Sequence, residues 1–177
     1  MENILFQEVQ YQVEKTRWGV WRRHVLPTGS YFAEFRSHAV FLGLPFIHYT
    51  RGKNPQTGKR VVAKGIIAVG RLAVGFLALG QASLGLIALG QLAVGILFGL
   101  GQASTGLAAV GQAALALSFA AGQLAMGSTA LGQIALGDYV LAQIGFGDHV
   151  WSASQADPEA QAHFHHLFDQ VRGFLGR

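Results

Sequence analysis

Cysteine is absent from the 177 residues, which excludes disulfide bonds and thiolate metal sites. Charged residues make up only 12% of the chain, about half the roughly 25% of an ordinary soluble domain. Neither a phosphate-binding P-loop nor a dinucleotide-binding glycine motif is present. The one histidine cluster, at 163–166, has no further ligand in sequence beyond Asp169. These absences predict no catalytic site, no metal site and no cofactor, and therefore a protein that is not an enzyme.

A five-residue repeat runs from Gly65 to Trp151 and begins GIIAV, GRLAV, GFLAL. Its positions are Gly, a variable residue, an apolar residue, Ala or Ser, and Val or Leu. A fixed period of this kind determines the architecture of a chain. On a helix the glycines would scatter over every face and cost about 0.8–1 kcal/mol each relative to alanine. Because glycine suits tight corners by tolerating positive φ, the repeat predicts an all-β fold.

Two single-residue insertions, at Gly99–Leu100 and Ala120–Ala121, lie 21 residues apart. Four pentads and one extra residue fit this spacing. It predicts a four-sided β-solenoid, or β-helix, of about 21 residues per coil. Side chains alternate along extended backbone, so we expect positions three and five to point inward as the core and position four to point outward.

Position two alternates between two chemical types. Glutamines recur every ten or eleven residues and are predicted to stack as ladders: Gln81, Gln91, Gln102, Gln112, Gln123, Gln133 and Gln143. Apolar residues fall between them: Ile66, Phe76, Leu86, Ile96, Leu107 and Leu117. Exposed apolar stacks of this size usually mark an interface, so these six residues form a predicted assembly surface. The alternative is that the flanking segments of the same chain cover them.

The flanks divide the chain into four predicted segments. Residues 1–30 form a basic, aromatic N-terminal segment and residues 31–64 form strands and a loop leading into the first coil. Residues 65–151 form the solenoid and residues 152–177 a C-terminal segment. Asp157 and Pro158 are a strong helix start, which predicts an amphipathic helix over 158–175. That helix caps the last coil or, through Phe164 and Phe168, contributes to assembly.

Positive charge is concentrated at the N-terminus, where residues 1–64 hold ten basic and four acidic residues. Two tryptophans stand among arginines there, which is typical of an interfacial membrane anchor. They predict a contact with a membrane surface or a partner, the alternative being ordinary packing: Arg17, Trp18, Trp21, Arg22 and Arg23. No secretory signal is recognisable, so a cytoplasmic protein is expected, with membrane association as the variant. Spanning helices are disfavoured because glycines interrupt the apolar run and no basic loops separate candidate spans.

A wider pattern covers about residues 40–150. It comprises Gly43–Leu44–Pro45, then His48, Pro55, Thr57–Gly58 and Ala63–Lys64–Gly65, followed by the pentads. This organisation resembles that of a group of functionally uncharacterised bacterial Gly/Ala-rich pentad-repeat proteins. It is distantly similar to pentapeptide-repeat proteins, which form quadrilateral β-helices. The resemblance implies a β-helix and implies no activity.

These patterns together favour a non-enzymatic structural protein that self-assembles into a homo-oligomer or filament, through apolar faces or coil ends. The alternative is a membrane-associated or partner-binding scaffold that uses the basic N-terminal segment. Nucleic acid is not an expected partner.

Overall fold

The computed structural model describes residues 9–25, 29 and 31–176. The chain is mostly strand and ends in one helix, which confirms the all-β prediction in its general form. It divides into two compact units, Met1–Gly90 and Gln91–Arg177. The elements in chain order are β1 (Gln12–Lys15), β2 (Gly19–Val25), β3 (Tyr31–Ser37), β4 (Val40–Phe41), β5 (Leu44–Pro45), β6 (Ile47–Arg51), β7 (Ala63–Met126), β8 (Thr129–Trp151) and α1 (Pro158–Leu175).

The N-terminal unit contains an antiparallel sheet in the order β1-β2-β3-β6. Strand β6 then pairs in parallel with the start of β7, where Ile47 lies opposite Ile67. Residues that alternate along β3 face opposite sides, so Glu34 and Arg36 share one face and Phe35 lies on the other. A short β4–β5 hairpin stands apart from this sheet, and its turn places both Leu42 and Gly43 at positive φ.

The repeat pairs with itself in a register of ten residues. Strand β7 runs parallel to β8, with Phe119 opposite Thr129 and Met126 opposite Leu136. The predicted coil of about 21 residues with four sides is therefore wrong, because two pentads bring the chain back beside itself. The spacing of the two insertions is the sum of two such steps and one extra residue.

The repeat glycines are required by close backbone approach and not by positive φ. Among the described residues, positive φ occurs only before the repeat, at Leu42, Gly29, Gly43, Gly52 and Gly58. A Cβ added to Gly137 would lie 1.9 Å from the carbonyl oxygen of Gly127, ten residues earlier. The expectation of corner glycines at positive φ is therefore wrong for the described repeat.

Alanine at position four forms the interior of the repeat, which reverses the predicted inward and outward positions. The buried positions are Ala68, Ala73, Ala78, Ala88, Ala93, Ala109, Ala114, Ala120, Ala125, Ala130 and Ala135, with Ser83 and Ser104 in the same phase and Val140 and Val150 continuing it at the end of the repeat. The interior has room for little more than a methyl group. An added Cβ at Gly132 would lie 2.3 Å from the Gly122 carbonyl oxygen and 3.5 Å from the Ala125 Cβ. Larger apolar side chains at positions three and five therefore point outward.

Helix α1 begins and ends where the sequence predicts. The Asp157 carboxylate caps it, since Oδ1 accepts hydrogen bonds from the backbone N–H groups of Glu159 (2.8 Å) and Ala160 (3.3 Å). The helix packs on β8, with Ala160 and Phe164 buried. None of the helices in the described ranges is long and apolar enough to cross a membrane.

Candidate interaction surface

Large apolar side chains cover the outside of the C-terminal unit. They belong to the pentads that carry glutamine and lie on either side of the inward residue, which is an alanine in the first four of these pentads and Gly145 in the last. We name them the glutamine-side rows. Their members are 38–57% exposed: Leu92, Val94, Leu115, Leu124, Met126, Ile134, Leu136, Ile144 and Phe146. Alanine in the same pentads is almost fully buried, so the repeat exposes its most apolar residues. Such a surface normally marks an interaction site.

The glutamine-side rows enclose an apolar cavity of about 130 Å³. Leu124 and Ile134 stand on one side, Met126 and Leu136 on the other, and Phe146 completes the lining. Ala113 is too small to fill its place in the row, which leaves room between its larger neighbours. The cavity is therefore a recess that an apolar side chain from outside can enter.

The predicted apolar stack at position two is also at the surface. Ile96, Leu107 and Leu117 are exposed in the C-terminal unit, as is Phe76 in the N-terminal unit, whereas Ile66 and Leu86 are half-buried. Ile96 and Leu117 line one recess with Leu115 and Met126, so in the C-terminal unit the stack adjoins the glutamine-side rows. Its role in assembly stays a prediction.

The glutamines of the predicted ladders are exposed at ten- or eleven-residue spacing. In the N-terminal unit, Arg71 occupies the same phase and donates from Nε to Oε1 of Gln81 at 2.6 Å. This contact joins residues ten apart, as the observed register requires. Within each unit, the glutamines therefore share one phase of the ten-residue register.

Phe164 and Phe168 differ in their exposure. Phe164 is fully buried against the body of its own unit, so it is unavailable to a second molecule and its assignment to an assembly surface is wrong. Phe168 is 39% exposed and stays a candidate. Around Phe164, His163 stacks on Tyr139 with ring centres 4.1 Å apart, and its Nε2 lies 2.9 Å from the Thr129 hydroxyl. The first half of α1 is thus a docked cap.

The five aromatic and basic residues predicted to contact a membrane or partner do not form one free patch. Trp21 packs on Phe35 with ring centres 4.9 Å apart, and the Arg23 guanidinium lies 4.8 Å from the Trp21 ring. Arg22 forms an ion pair with Glu34. Trp18, in contrast, is 74% exposed in the turn between β1 and β2.

Arg17 completes that turn, with its guanidinium 5.6 Å from the Trp18 ring centre. The predicted contact site therefore reduces to this pair. The other three residues are engaged by their own sheet.

A buried carboxylate lies on the face of the N-terminal sheet opposite to Trp21 and Phe35. The sequence analysis did not predict it. Glu34 is 1% exposed and accepts hydrogen bonds from Arg22, from Arg36 Nε (2.8 Å) and from His48 Nε2 (3.1 Å). Burial raises the pKa of Glu34, but the hydrogen bonds from His48 and Arg22 and the charge of Arg36 outweigh burial and lower the pKa from 4.5 to about 2. Phe32, Glu34 and Arg36 alternate along β3, and a charged residue on a buried strand face is the sequence signal for such pairing.

The helix cap contains the second group with a lowered pKa. Burial raises the pKa of Asp157, while the backbone N–H groups of Glu159 and Ala160 and the ring of His149 lower it. The His149 ring lies between Asp157 (3.4 Å) and Glu159 (3.2 Å). These contacts fasten the start of α1 to β8, which is a structural role.

In comparisons with known proteins, the chain is matched by no family model, no curated protein and no solved structure.

Proposed function

We propose that this chain is a structural, non-enzymatic β-solenoid of two pentads per coil that self-associates side by side through the glutamine-side rows. The coil length is supported by the ten-residue parallel register and by the glycine contacts at the same interval. The proposed resemblance to pentad-repeat β-helix proteins rests on the same repeat.

One observation carries this function: the repeat buries alanine and exposes leucine, isoleucine, valine and phenylalanine. Nine such side chains, each about half exposed, amount to roughly several hundred Å² of apolar surface on one side of the unit. A standard interface buries about 800 Å² on each partner. The surface therefore has the size and chemistry of an interface.

A second copy of the chain suits this surface better than a lipid bilayer does. No lysine or arginine lies between Leu72 and Val171, and the charged residues closest to the rows are Asp138 and Asp148. An anionic lipid surface would therefore meet no attracting charge there. Side-chain amides both donate and accept hydrogen bonds, so the exposed glutamines of one copy complement those of another.

The ends of the repeat favour lateral contact over end-to-end growth. In the N-terminal unit, the first strand edge of the repeat is already paired with β6. In the C-terminal unit, α1 packs on β8 with Phe164 buried. An end-to-end filament needs free strand edges, and these two contacts occupy the places where growth would begin.

Sedimentation velocity on the native protein tests the proposal, with Leu124→Gln/Ile134→Gln as the interface variant. The wild type is expected to sediment at a multiple of the 18.9 kDa chain at micromolar concentration, and the double variant as a monomer. Leu97→Gln is the matched control, because Leu97 is 51% exposed and Leu124 is 53% exposed. Leu97 lies in a pentad without glutamine, so its variant should keep the wild-type mass.

A wild-type protein that stays monomeric at every concentration would overturn self-association. An oligomer that survives Leu124→Gln/Ile134→Gln but dissociates in Ile96→Gln/Leu117→Gln would place the interface at the position-two stack. Far-ultraviolet circular dichroism on each variant separates dissociation from unfolding.

A second function, contact with a membrane or partner through the N-terminal segment, is favoured by one observation, the exposure of Trp18 beside Arg17. Flotation with anionic vesicles tests it. Trp18→Ala should abolish binding to the vesicles. Trp21 packs within the sheet, so Trp21→Ala should reduce binding only if it also lowers the stability of the fold. Equal flotation of wild type and Trp18→Ala would exclude this function.

A further inference from the structure

A polar cavity of about 440 Å³ lies in the N-terminal unit. Its lining combines three basic side chains with apolar ones: Arg36, Leu44, Pro45, His48, Val62 and Lys64. The cavity differs from the apolar recesses of the repeat because basic side chains converge on it.

The buried Glu34 carboxylate orients one of these cations. It binds Arg36 through Nε at 2.8 Å, which leaves the two terminal nitrogens of the guanidinium for other acceptors. Arg36 itself is more than half exposed. A guanidinium fastened through Nε presents a fixed fork of donors, the arrangement that matches two oxygens of one anion.

His48 has a positioning role in the same cluster. Its Nδ1 lies 2.8 Å from the backbone nitrogen and 3.1 Å from the carbonyl oxygen of Lys64, and its Nε2 lies 3.1 Å from the Glu34 carboxylate. Both ring nitrogens are therefore occupied, and His48 is available neither as a base nor as a metal ligand. The contact with the Lys64 backbone also fixes the position of the Lys64 Cα atom, from which the side chain extends.

Acidic residues do not neutralise the remaining charge. Over the described residues of the N-terminal unit the acids are Glu14 and Glu34, and Glu14 is paired with Arg23 at 2.8 Å. Glu34 is shared by Arg22, Arg36 and His48. Among these residues, no acid is left for the terminal nitrogens of Arg36 or for the Lys64 ammonium.

We propose that this cavity binds the phosphate group of a small anion, with Arg36 as the bidentate donor and Lys64 as the second cation. The volume is sufficient for a phosphorylated small molecule and lies within the range of ordinary ligand pockets, about 300–1,000 Å³. Leu44, Pro45 and Val62 supply an apolar wall for the remainder of the ligand. A phospholipid headgroup carries the same group, so a free phosphate and a membrane are the two sources.

Titration of the ¹⁵N-labelled full-length chain with inorganic phosphate at constant ionic strength tests the site. Saturable shifts of the Arg36 Nε–H and of the Lys64 amide are expected, with a Kd on the order of 1 mM. Lys64→Ala should raise the Kd about tenfold, because one charge-assisted contact is lost. The alanine variant keeps the backbone N–H that holds His48, so it should remain folded.

Two further variants sharpen the result. Arg36→Lys keeps the positive charge but loses the bidentate guanidinium, so it should also weaken phosphate binding. Lys59→Ala is the matched control, because Lys59 is exposed in the loop and does not line the cavity. Absence of saturable shifts, or equal weakening by Lys59→Ala and Lys64→Ala, would overturn the proposal.

Vesicles with and without phosphatidylglycerol distinguish the source of the phosphate. Binding to anionic vesicles that is lost in Lys64→Ala would assign the site to a lipid headgroup. Saturation by free phosphate without vesicle binding would assign it to a small molecule. Either result supports the anion site.

Discussion

The N-terminal sheet and the pentad repeat bury different kinds of side chain. The N-terminal sheet buries Phe32 and the carboxylate of Glu34, whereas the C-terminal unit buries a row of alanines and leaves leucines such as Leu124 outside. Hydrophobicity alone would place leucine inside and glutamate outside in both. The comparison shows that the space between backbones and the available partners determine which side chains are buried.

The physical reason differs between the sheet and the repeat. In the sheet, β2 supplies Arg22, β6 supplies His48 and β3 itself supplies Arg36, and together they compensate the desolvation of the Glu34 carboxylate. In the repeat, carbonyl oxygens and alanine methyl groups approach the glycines so closely that the interior holds alanine or serine as far as Ala135, and the valines Val140 and Val150 are buried at its end. A core of methyl groups leaves the larger apolar residues at the surface.

The largest expected effect comes from enlarging the alanine core. Ala125 is 1% exposed, and Ala125→Leu should lower the free energy of unfolding by about 3 kcal/mol or more through overpacking. The adjacent change Leu124→Ala removes a larger apolar side chain but, being at the surface, should cost less than about 1 kcal/mol. Urea unfolding at low protein concentration measures both. A larger loss of unfolding free energy in Leu124→Ala than in Ala125→Leu would show that the inward and outward assignments are reversed.

The carboxylate of the N-terminal sheet should make stability depend on pH. The pKa of Glu34 is about 2 in the folded chain and 4.5 ordinarily, so its stabilisation is present above pH 4.5 and is lost as pH falls towards 2. The pKa difference corresponds to about 3 kcal/mol. Glu34→Gln should lower the free energy of unfolding by a comparable amount at pH 7. It should also remove most of the fall in that free energy between pH 4.5 and pH 2.

Glu14→Gln is the control for this measurement, because Glu14 forms an exposed ion pair with Arg23. Exposed pairs contribute about 0–1 kcal/mol, so this variant should keep the wild-type acid limb. The same acid limb in Glu34→Gln and wild type would contradict the assignment of the lowered pKa to Glu34.

Replacement of glycine by alanine should change the stability in opposite directions in the repeat and in the helix. An added Cβ at Gly137 would lie 1.9 Å from a backbone oxygen, so Gly137→Ala should destabilise by about 1–3 kcal/mol. Gly173 in α1 has nothing within 4 Å of an added Cβ, and Gly173→Ala should stabilise by about 0.5–1 kcal/mol. Thermal unfolding compares the two. Stabilisation by both changes would mean that the repeat backbones are not closely apposed.

The smallest effect concerns the β4–β5 hairpin. Leu42 has φ 52°, a conformation that costs leucine about 1–2 kcal/mol and that asparagine tolerates. Because Asn-Gly is the preferred sequence in such turns, Leu42→Asn should stabilise by about 0.5–1 kcal/mol. Phe41→Asn, one residue earlier in the strand, serves as control and should not stabilise. A destabilising Leu42→Asn would indicate that Leu42 has a packing role despite its exposure.

Local signals predicted the strand-rich repeat and the C-terminal helix. Asp157 and Pro158 specify the helix start by hydrogen bonding and φ alone, and glycine every five residues rules out long helices. The inward assignment failed because alternation identifies two sets of positions but not which set faces the interior. The predicted coil length was wrong because the 21 residues between the two insertions were taken as one coil, whereas they span two ten-residue steps and one extra residue.

The candidate surface was predicted in part. The position-two stack is at the surface, but the glutamine-side rows were assigned to the core because they are leucine-rich. The Glu34 cluster was missed because its partners come from β2 and β6, twelve and fourteen residues away along the chain. No local pattern joins Arg22 to Glu34 until the strands are paired.

The sequence by itself determined the period, the strand-rich character and the helix boundaries, because these depend on interactions within a few residues. The tertiary structure decided which row is buried, how many residues separate the paired segments of the repeat and where the cations converge. These features depend on distances between backbone segments that are ten or more residues apart. Ala125 is buried and Leu124 is exposed because the neighbouring backbone leaves little room beyond a methyl group at the inward position.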